Sequence, residues 1–311
     1  MNKALTGVIP AVISPLNEDR RLDTGLLEKQ TTYLCEAGAA GFFVAGTTSE
    51  GAYLTTEEKR EAFLTIRKVS EGKQFLCLAC IRPSTEQVIA EMKTLEDLAP
   101  DYVVAVTPFY GKADQTVIFN HYTAIADAAK VPLLLYNIPS CTHNVIELDT
   151  IERLSRHQNI AGIKDSTGDF VSVGRGLVAR KAGTGTPPDF IWIMGEDYLD
   201  AASLSLGCDA LVSGLGNIRI EPYVAMFRAA ECGAWDEVAA EQARINLLYD
   251  LVRTFKADML LTIKTGAAFY GRCRAVMKME GIPLSKEEKR KLEEALEMAF
   301  NQKRYTGNVP V

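Results

Sequence analysis

The stretch IAGIKDSTGDF, residues 160–170, passes through Ile160, Ala161, Gly162 and Ile163 and then sets Lys164 where a buried strand should be finishing. A lysine is almost never fully buried unless it is paired or functional. The apolar run before it has the character of a parallel strand covered on both faces.

The same pattern recurs on either side of it. Apolar, β-rich runs occupy residues 7–16 (GVIPAVISPL), 40–48 (AGFFVAGTT), 74–81 (QFLCLACI), 101–110 (DYVVAVTPFY), 131–139 (VPLLLYNIP), 159–166 (NIAGIKDS), 189–197 (DFIWIMGED) and 209–217 (DALVSGLGN). Amphipathic helical patterns lie between them. TTEEKREAFLTIRKV opens with a capping box of Thr55 and Glu58, and STEQVIAEMKTLEDLA and DQTVIFNHYTAIADAA carry the same helical spacing. Eight strand–helix units within about 230 residues fit an α/β fold of the (β/α)8 TIM-barrel type. A Rossmann-like sheet fits less well, because no run leads into GxGxxG and GTGTP (183–187) precedes a run instead of following one. Past residue 233 the β runs stop. Helical patterns near 234–255, 258–279 and 286–302 follow. The expected organisation is a barrel over 1–233 that carries the site, with a C-terminal helical region over 234–311 packed on it.

Bulk properties narrow the function. Of 311 residues, 47% are hydrophobic and 24% charged, as in an ordinary globular protein with a large core. The net charge of −6 argues against nucleic acid or an anionic membrane as main partner. No stretch approaches the roughly 18 apolar residues of a membrane span, and the start MNKALTGVIPAV has no signal-peptide pattern. A cytoplasmic location is the expectation. Seven scattered cysteines suit reduced, mostly buried thiols. Cys77 and Cys80 match CxxC, but in a strand residues three apart point to opposite faces. His121, His143 and His157 match no zinc or catalytic spacing and read as surface or capping residues.

In a barrel of this kind chemistry sits at the C-terminal ends of the strands. Those ends read GTTSEG (46–51), TPFYG (107–111), YNIPS (136–140), KDST (164–167) and GEDY (195–198). If Lys164 faces the barrel interior, alternation puts Gly162 and Ser166 on the same side and turns Ile163 and Asp165 toward the helices. By the same rule Tyr136 goes with Leu134 and Ile138, Thr47 with Phe43 and Ala45, and Gly195 with Asp197. Each residue alone has a plainer reading: Lys164 could pair with Asp165 or Glu196, Tyr136 could be a core aromatic, and Thr47–Thr48 could cap a helix. Their common rim favours chemistry. An ordinary lysine is only about one part in 2,500 free amine at neutral pH, and a desolvated mouth would restore the nucleophile. Such an amine can attack a ketone and form an iminium, an electron sink for making or breaking the neighbouring C–C bond.

In their order and spacing, GTTSEG, TPFY, YNIPS and GIKDSTGD resemble the dihydrodipicolinate synthase/N-acetylneuraminate lyase family of class I aldolases. The likeness extends through IKTGAAFYGRCRAVMKMEGIP (263–283). The resemblance implies that Lys164 forms a Schiff base with pyruvate or a related 2-oxo acid and that Tyr136 relays protons. It implies that Thr47 links Tyr136 to Tyr110, the latter lent by a neighbouring subunit of a homotetramer built as paired dimers. Thr47 and Thr48 would hold the pyruvate carboxylate. Ser166, Gly195, Asp197 and Val212 complete the implied substrate-binding set, with an aldehyde as second partner and neither cofactor nor metal.

Two positions depart from the family pattern. Cys141 stands where the synthases carry an arginine that grips the aldehyde's carboxylate, a contact worth about 1.5–3 kcal/mol. Arg82 and Arg175 are the candidate substitutes. Tyr198 stands where the sialic-acid lyases carry a second acid. The balance falls on cleavage or formation of a 2-keto-3-deoxy sugar acid. Dihydrodipicolinate synthase, a keto-deoxy-sugar-acid dehydratase, and a non-catalytic 2-oxo-acid-binding regulator remain as alternatives.

Overall fold

The computed structural model describes residues 5–301. Eight parallel strands, β1 (Gly7–Pro10), β2 (Gly41–Val44), β3 (Phe75–Ala79), β4 (Tyr102–Val106), β5 (Leu133–Asn137), β6 (Ile160–Asp165), β7 (Ile191–Met194) and β8 (Ala210–Ser213), form one sheet in the order 1-8-7-6-5-4-3-2. The two ends of that order meet: Ala40 N–H donates to Val8 O at 2.9 Å, and Val12 N–H donates to Phe43 O at 3.1 Å. A parallel bridge joins Ala11 to Phe43. The sheet is thereby a (β/α)8 barrel without a long free edge.

Helices α1 (Thr24–Glu36), α2 (Thr56–Ser70), α3 (Thr85–Thr94) and α4 (Gln115–Ala128) follow the first four strands. Two short helices, α5 (Pro139–Thr142) and α6 (Leu148–Leu154), follow β5. Then come α7 (Phe170–Ala182), α8 (Asp200–Ser205) and α9 (Glu221–Glu231). The Thr55–Glu58 capping box opens α2 with both of its reciprocal hydrogen bonds in place, an arrangement worth about 1 kcal/mol.

Alternation divides the apolar residues into two clusters. One fills the barrel interior and includes Ile9, Phe43, Cys77, Val104, Leu134, Tyr136, Ile193 and Val212. The other lies between sheet and helices and includes Phe42, Cys80, Leu135, Ile163, Trp192 and Leu211. Cys77 and Cys80 thus fall on opposite faces, and burial pushes the Cys80 thiol up to about 12. His121 departs from its expected surface role. It is buried, with Nδ1 at 2.8 Å from Thr85 Oγ1 and Nε2 at 3.0 Å from Val106 O, and burial brings it down to about 4. The reason is that α4 turns this position inward, onto the end of β4.

The C-terminal region contains α10 (Trp235–Arg253), α11 (Met259–Phe269) and α12 (Lys286–Asn301). Val238, Ile245 and Val252, spaced by seven, pack into the same outer cluster, as do Ile263, Ala267, Leu292 and Leu296. Helix α11 is shorter than the 258–279 pattern. It stops before Gly271, whose φ of +68° takes the chain out of the helix. Among the described residues no helix is long and apolar enough to cross a membrane.

One irregularity sets the site. Leu133 pairs with Ile160 but Leu134 pairs with Gly162, so Ala161 is an extra residue in β6. Ile160 and Ile163 both belong to the outer cluster, three residues apart, as only such a bulge allows. Beyond it, Gly162 and Lys164 share the interior face with their partners Leu134 and Tyr136. Gly162 cannot be enlarged, because a Cβ there would lie 2.3 Å from the Ile191 carbonyl oxygen. Gly162→Ala is expected to destabilise the fold by about 1–3 kcal/mol, read as a lower urea midpoint. An unchanged midpoint would contradict this register.

Candidate active site

Lys164 lies on β6 with 5% of its surface exposed. Its Nζ sits 4.0 Å from the centroid of the Tyr136 ring and 4.7 Å from that of Phe43, and those two rings meet edge to face at 5.7 Å. Among the described residues no carboxylate is within ion-pair reach of it and no acceptor holds its proton. The amine is seated on aromatic faces, a weaker attraction than a carboxylate provides.

The adjacent carboxylate is turned away. Asp165 Oδ2 accepts from Asn137 Nδ2 at 3.0 Å, and Oδ1 accepts from Thr167 N–H at 3.0 Å and from the Thr167 hydroxyl at 2.6 Å. Burial raises the Asp165 carboxyl, and these donors oppose the rise. Asn137 also pins the following loop, exchanging hydrogen bonds of 3.0 and 3.1 Å with Ile146.

The hydroxyl of Tyr136 lies 3.5 Å from Thr47 Oγ1. Thr47 does not arrive there by strand alternation. β2 ends at Val44, Ala45 has φ of +57° and belongs to the outer cluster, and the chain turns sharply before Thr47. Ala45 is therefore not on Thr47's side, contrary to the alternation argument. Gly51 is obligatory in this turn, since a Cβ there would lie 1.7 Å from Ala45 O. Among the described residues the N–H groups of Thr47 and Thr48 donate to no protein acceptor. Two such donors beside two hydroxyls form a small concavity suited to an anion.

Gly195, just past β7, allows the lysine stem its course: a Cβ there would come within 2.8 Å of Lys164 Cε and 2.2 Å of Ser166 Oγ. Ser166 Oγ donates to Gly195 O at 3.0 Å. Val212 lines the interior from β8. Asp197 is placed differently from its neighbour Gly195. Its Oδ1 accepts from the Ser213 hydroxyl and, at 2.5 Å, from the Tyr223 hydroxyl of α9. Ser213 alternates with interior Val212 and so faces the helices. β7 stops at Met194, and the turn that begins at Asp197 redirects the side chain. Burial raises this carboxyl against its two donors. Tyr198 is drawn to α10, with its hydroxyl on Asp250 and its ring stacked 4.4 Å from Tyr249.

The single chain does not bring Tyr110 to Thr47. Tyr110 is 98% exposed and holds φ of +79°, a costly backbone for a bulky side chain. Cys141 is exposed on α5. Arg82 is occupied, donating to Glu91 at 2.5 Å while Lys59 takes the other oxygen at 2.8 Å, and Arg175 lies on the exposed face of α7. Phe43, Asn137 and Glu50 were unassigned by sequence reasoning. Alternation could have found Phe43, since it places that ring beside Tyr136; the other two depend on partners distant in sequence. Among the described residues no group of three or more His, Cys, Asp and Glu could hold a metal ion.

A buried, unpaired amine beside a phenol at the open end of a parallel barrel is an arrangement able to attack a carbonyl group. The sequence model of the dihydrodipicolinate synthetase family matches residues 4–299, and the chain belongs to that family of lyases. An uncharacterised DapA-like lyase of Thermococcus onnurineus is 31% identical over 264 residues, covering 83% of this chain and 88% of the relative. The solved dihydrodipicolinate synthase DapA-2 of Bacillus anthracis is 25% identical, with a TM-score of 0.87 over 96% of this chain and 99% of that one. The sialic acid aldolase of Ruminococcus gnavus shares the fold at 20% identity, with a TM-score of 0.86 over 96% of this chain and 98% of its own.

Proposed function

We propose that this lyase is a pyruvate-dependent Schiff-base aldolase that cleaves, or forms, a 2-keto-3-deoxy sugar acid. The observation that carries the reading is Lys164 Nζ, inside the barrel on two aromatic faces and without a carboxylate partner. In this reading the neutral amine attacks C2 of the 2-oxo acid, and the Tyr136 phenol gives its proton to the departing hydroxyl, so that water leaves and an iminium and a phenolate remain. Tyr136 accepts the proton of the C4 hydroxyl, the C3–C4 bond breaks, and its electron pair moves toward the iminium nitrogen. The aldehyde departs and an enamine remains. Protonation at C3 and hydrolysis return pyruvate and the free amine.

Thr47 fixes the phenol through its 3.5 Å contact. The substrate carboxylate takes the Thr47 and Thr48 hydroxyls and the two N–H groups that have no protein acceptor. Ser166, the backbone at Gly195, and Val212 meet the rest of the substrate. Asp197, occupied by Ser213 and Tyr223, serves this site by fixing the β7–β8 corner.

Cys141 at the arginine position, together with Arg82 engaged by Glu91, favours a hydroxylated tail over a second carboxylate. The expected result in a panel of 2-keto-3-deoxy acids, N-acetylneuraminate, and pyruvate with aspartate semialdehyde is pyruvate release from a sugar acid. Lys164→Ala should lose about 10⁴-fold of that activity. Cys141→Arg should raise the semialdehyde reaction by about 10- to 150-fold. Wild-type turnover of the semialdehyde alone would overturn the substrate assignment.

A second copy of the chain is the proposed cover for Tyr110, whose exposure and strained backbone are otherwise without return. Light scattering is expected to give a multiple of the single-chain mass. A monomer mass would remove this partner.

A further inference from the structure

The turn that carries Thr47 and Thr48 is expensive to hold. Ala45 and Glu50 both have left-handed backbones, with φ of +57° and +59°, and Gly51 closes against Ala45 with no room for a side chain. Local hydrogen bonds contribute: Gly51 N–H donates to Gly46 O at 2.9 Å, and Ser49 Oγ reaches Val12 O at 2.5 Å. The strongest contact comes from the far end of the chain. Lys264 of α11, fully buried, donates from Nζ to Glu50 Oε1 at 2.5 Å and to Val276 O at 2.7 Å. The second carboxylate oxygen of Glu50 accepts from Lys278 N–H at 2.6 Å. Lys278 Nζ in turn grips Glu58, the capping residue of α2. Segment 276–278 is thus fastened both to the turn and to the start of α2.

Two charges removed from water at this depth are costly unless geometry and extra hydrogen bonds compensate them, and here they do. We infer that Glu50 and Lys264 are positioning residues: their buried ion pair braces the Thr47–Thr48 turn in the shape that receives the substrate carboxylate. Neither touches the reacting atoms. The C-terminal helical region thereby acts on the site through Lys264 and the backbone N–H of Lys278, which hold the two oxygens of Glu50. The link to a carboxylate rests on the aldolase reading; the bracing of the turn does not.

The test uses Glu50→Gln, Lys264→Met and the double variant, which removes both charges. Hydrogen–deuterium exchange of residues 46–54 is expected to run at least about tenfold faster in each single variant, with β4 and β5 unchanged, because a broken buried pair leaves one charge uncompensated. Half-saturating pyruvate in borohydride trapping should rise about tenfold while the final yield on Lys164 stays the same, the mark of lost positioning rather than lost chemistry. The double variant should be no worse than either single one, as coupled partners require. A folded single variant with wild-type exchange and wild-type half-saturation overturns the inference. If neither single variant folds, the charge-free double variant decides: exchange of 46–54 faster than wild type supports the brace, and wild-type exchange with wild-type half-saturation overturns it. Wild-type protein that pyruvate cannot label sinks the aldolase reading instead, and the exchange rates still judge the brace.

Discussion

One constraint governs the barrel mouth: an amine is held inside a closed sheet with no opposite charge to keep it. The rings of Phe43 and Tyr136 lie against the amine, and the nearest acid in sequence, Asp165, is tied to Asn137 and Thr167 on the other face of the strand. Had Asp165 reached the amine, the pair would form a buried salt bridge, which disfavours the neutral nucleophile. In the proposed reading the chemistry of the site depends on that separation, and the separation depends on which way β6 faces.

The bulge at Ala161 decides the facing. In an unbroken strand Ile160 and Lys164, four residues apart, would share a side; Ile160 is in the outer cluster, so Lys164 would join it among the helices. The extra residue reverses the alternation just below the lysine. Gly162 then accepts the close backbone of β7, and Gly195 leaves space for the lysine stem. Two glycines and one unpaired residue place the amine, without any polar contact to it.

Much of this was legible in the sequence. Strands buried on both faces announce themselves as apolar runs, and their polar ends marked the rim. Alternation grouped Lys164 with Gly162 and Ser166, which holds downstream of the bulge, but the inward direction of the lysine was an assumption, since nothing in IAGIKDS signals the bulge that sets it. Alternation fails where strands stop early. Thr47 reaches Tyr136 through a left-handed turn, and Asp197 lies three residues beyond the end of β7, so its carboxylate leaves the mouth for Ser213 and Tyr223. The overlong reading of α11 missed the left-handed Gly271. Glu50 and Lys264 are 214 residues apart, and no local pattern relates them.

The claim on which the account stands is that Lys164 Nζ is the atom that becomes bonded to the substrate. It is tested most directly by reducing the wild-type protein with borohydride in the presence of pyruvate and mapping the added mass to a residue. The account predicts one three-carbon adduct per chain, on Lys164. Unmodified protein, or an adduct on a different lysine, would contradict it.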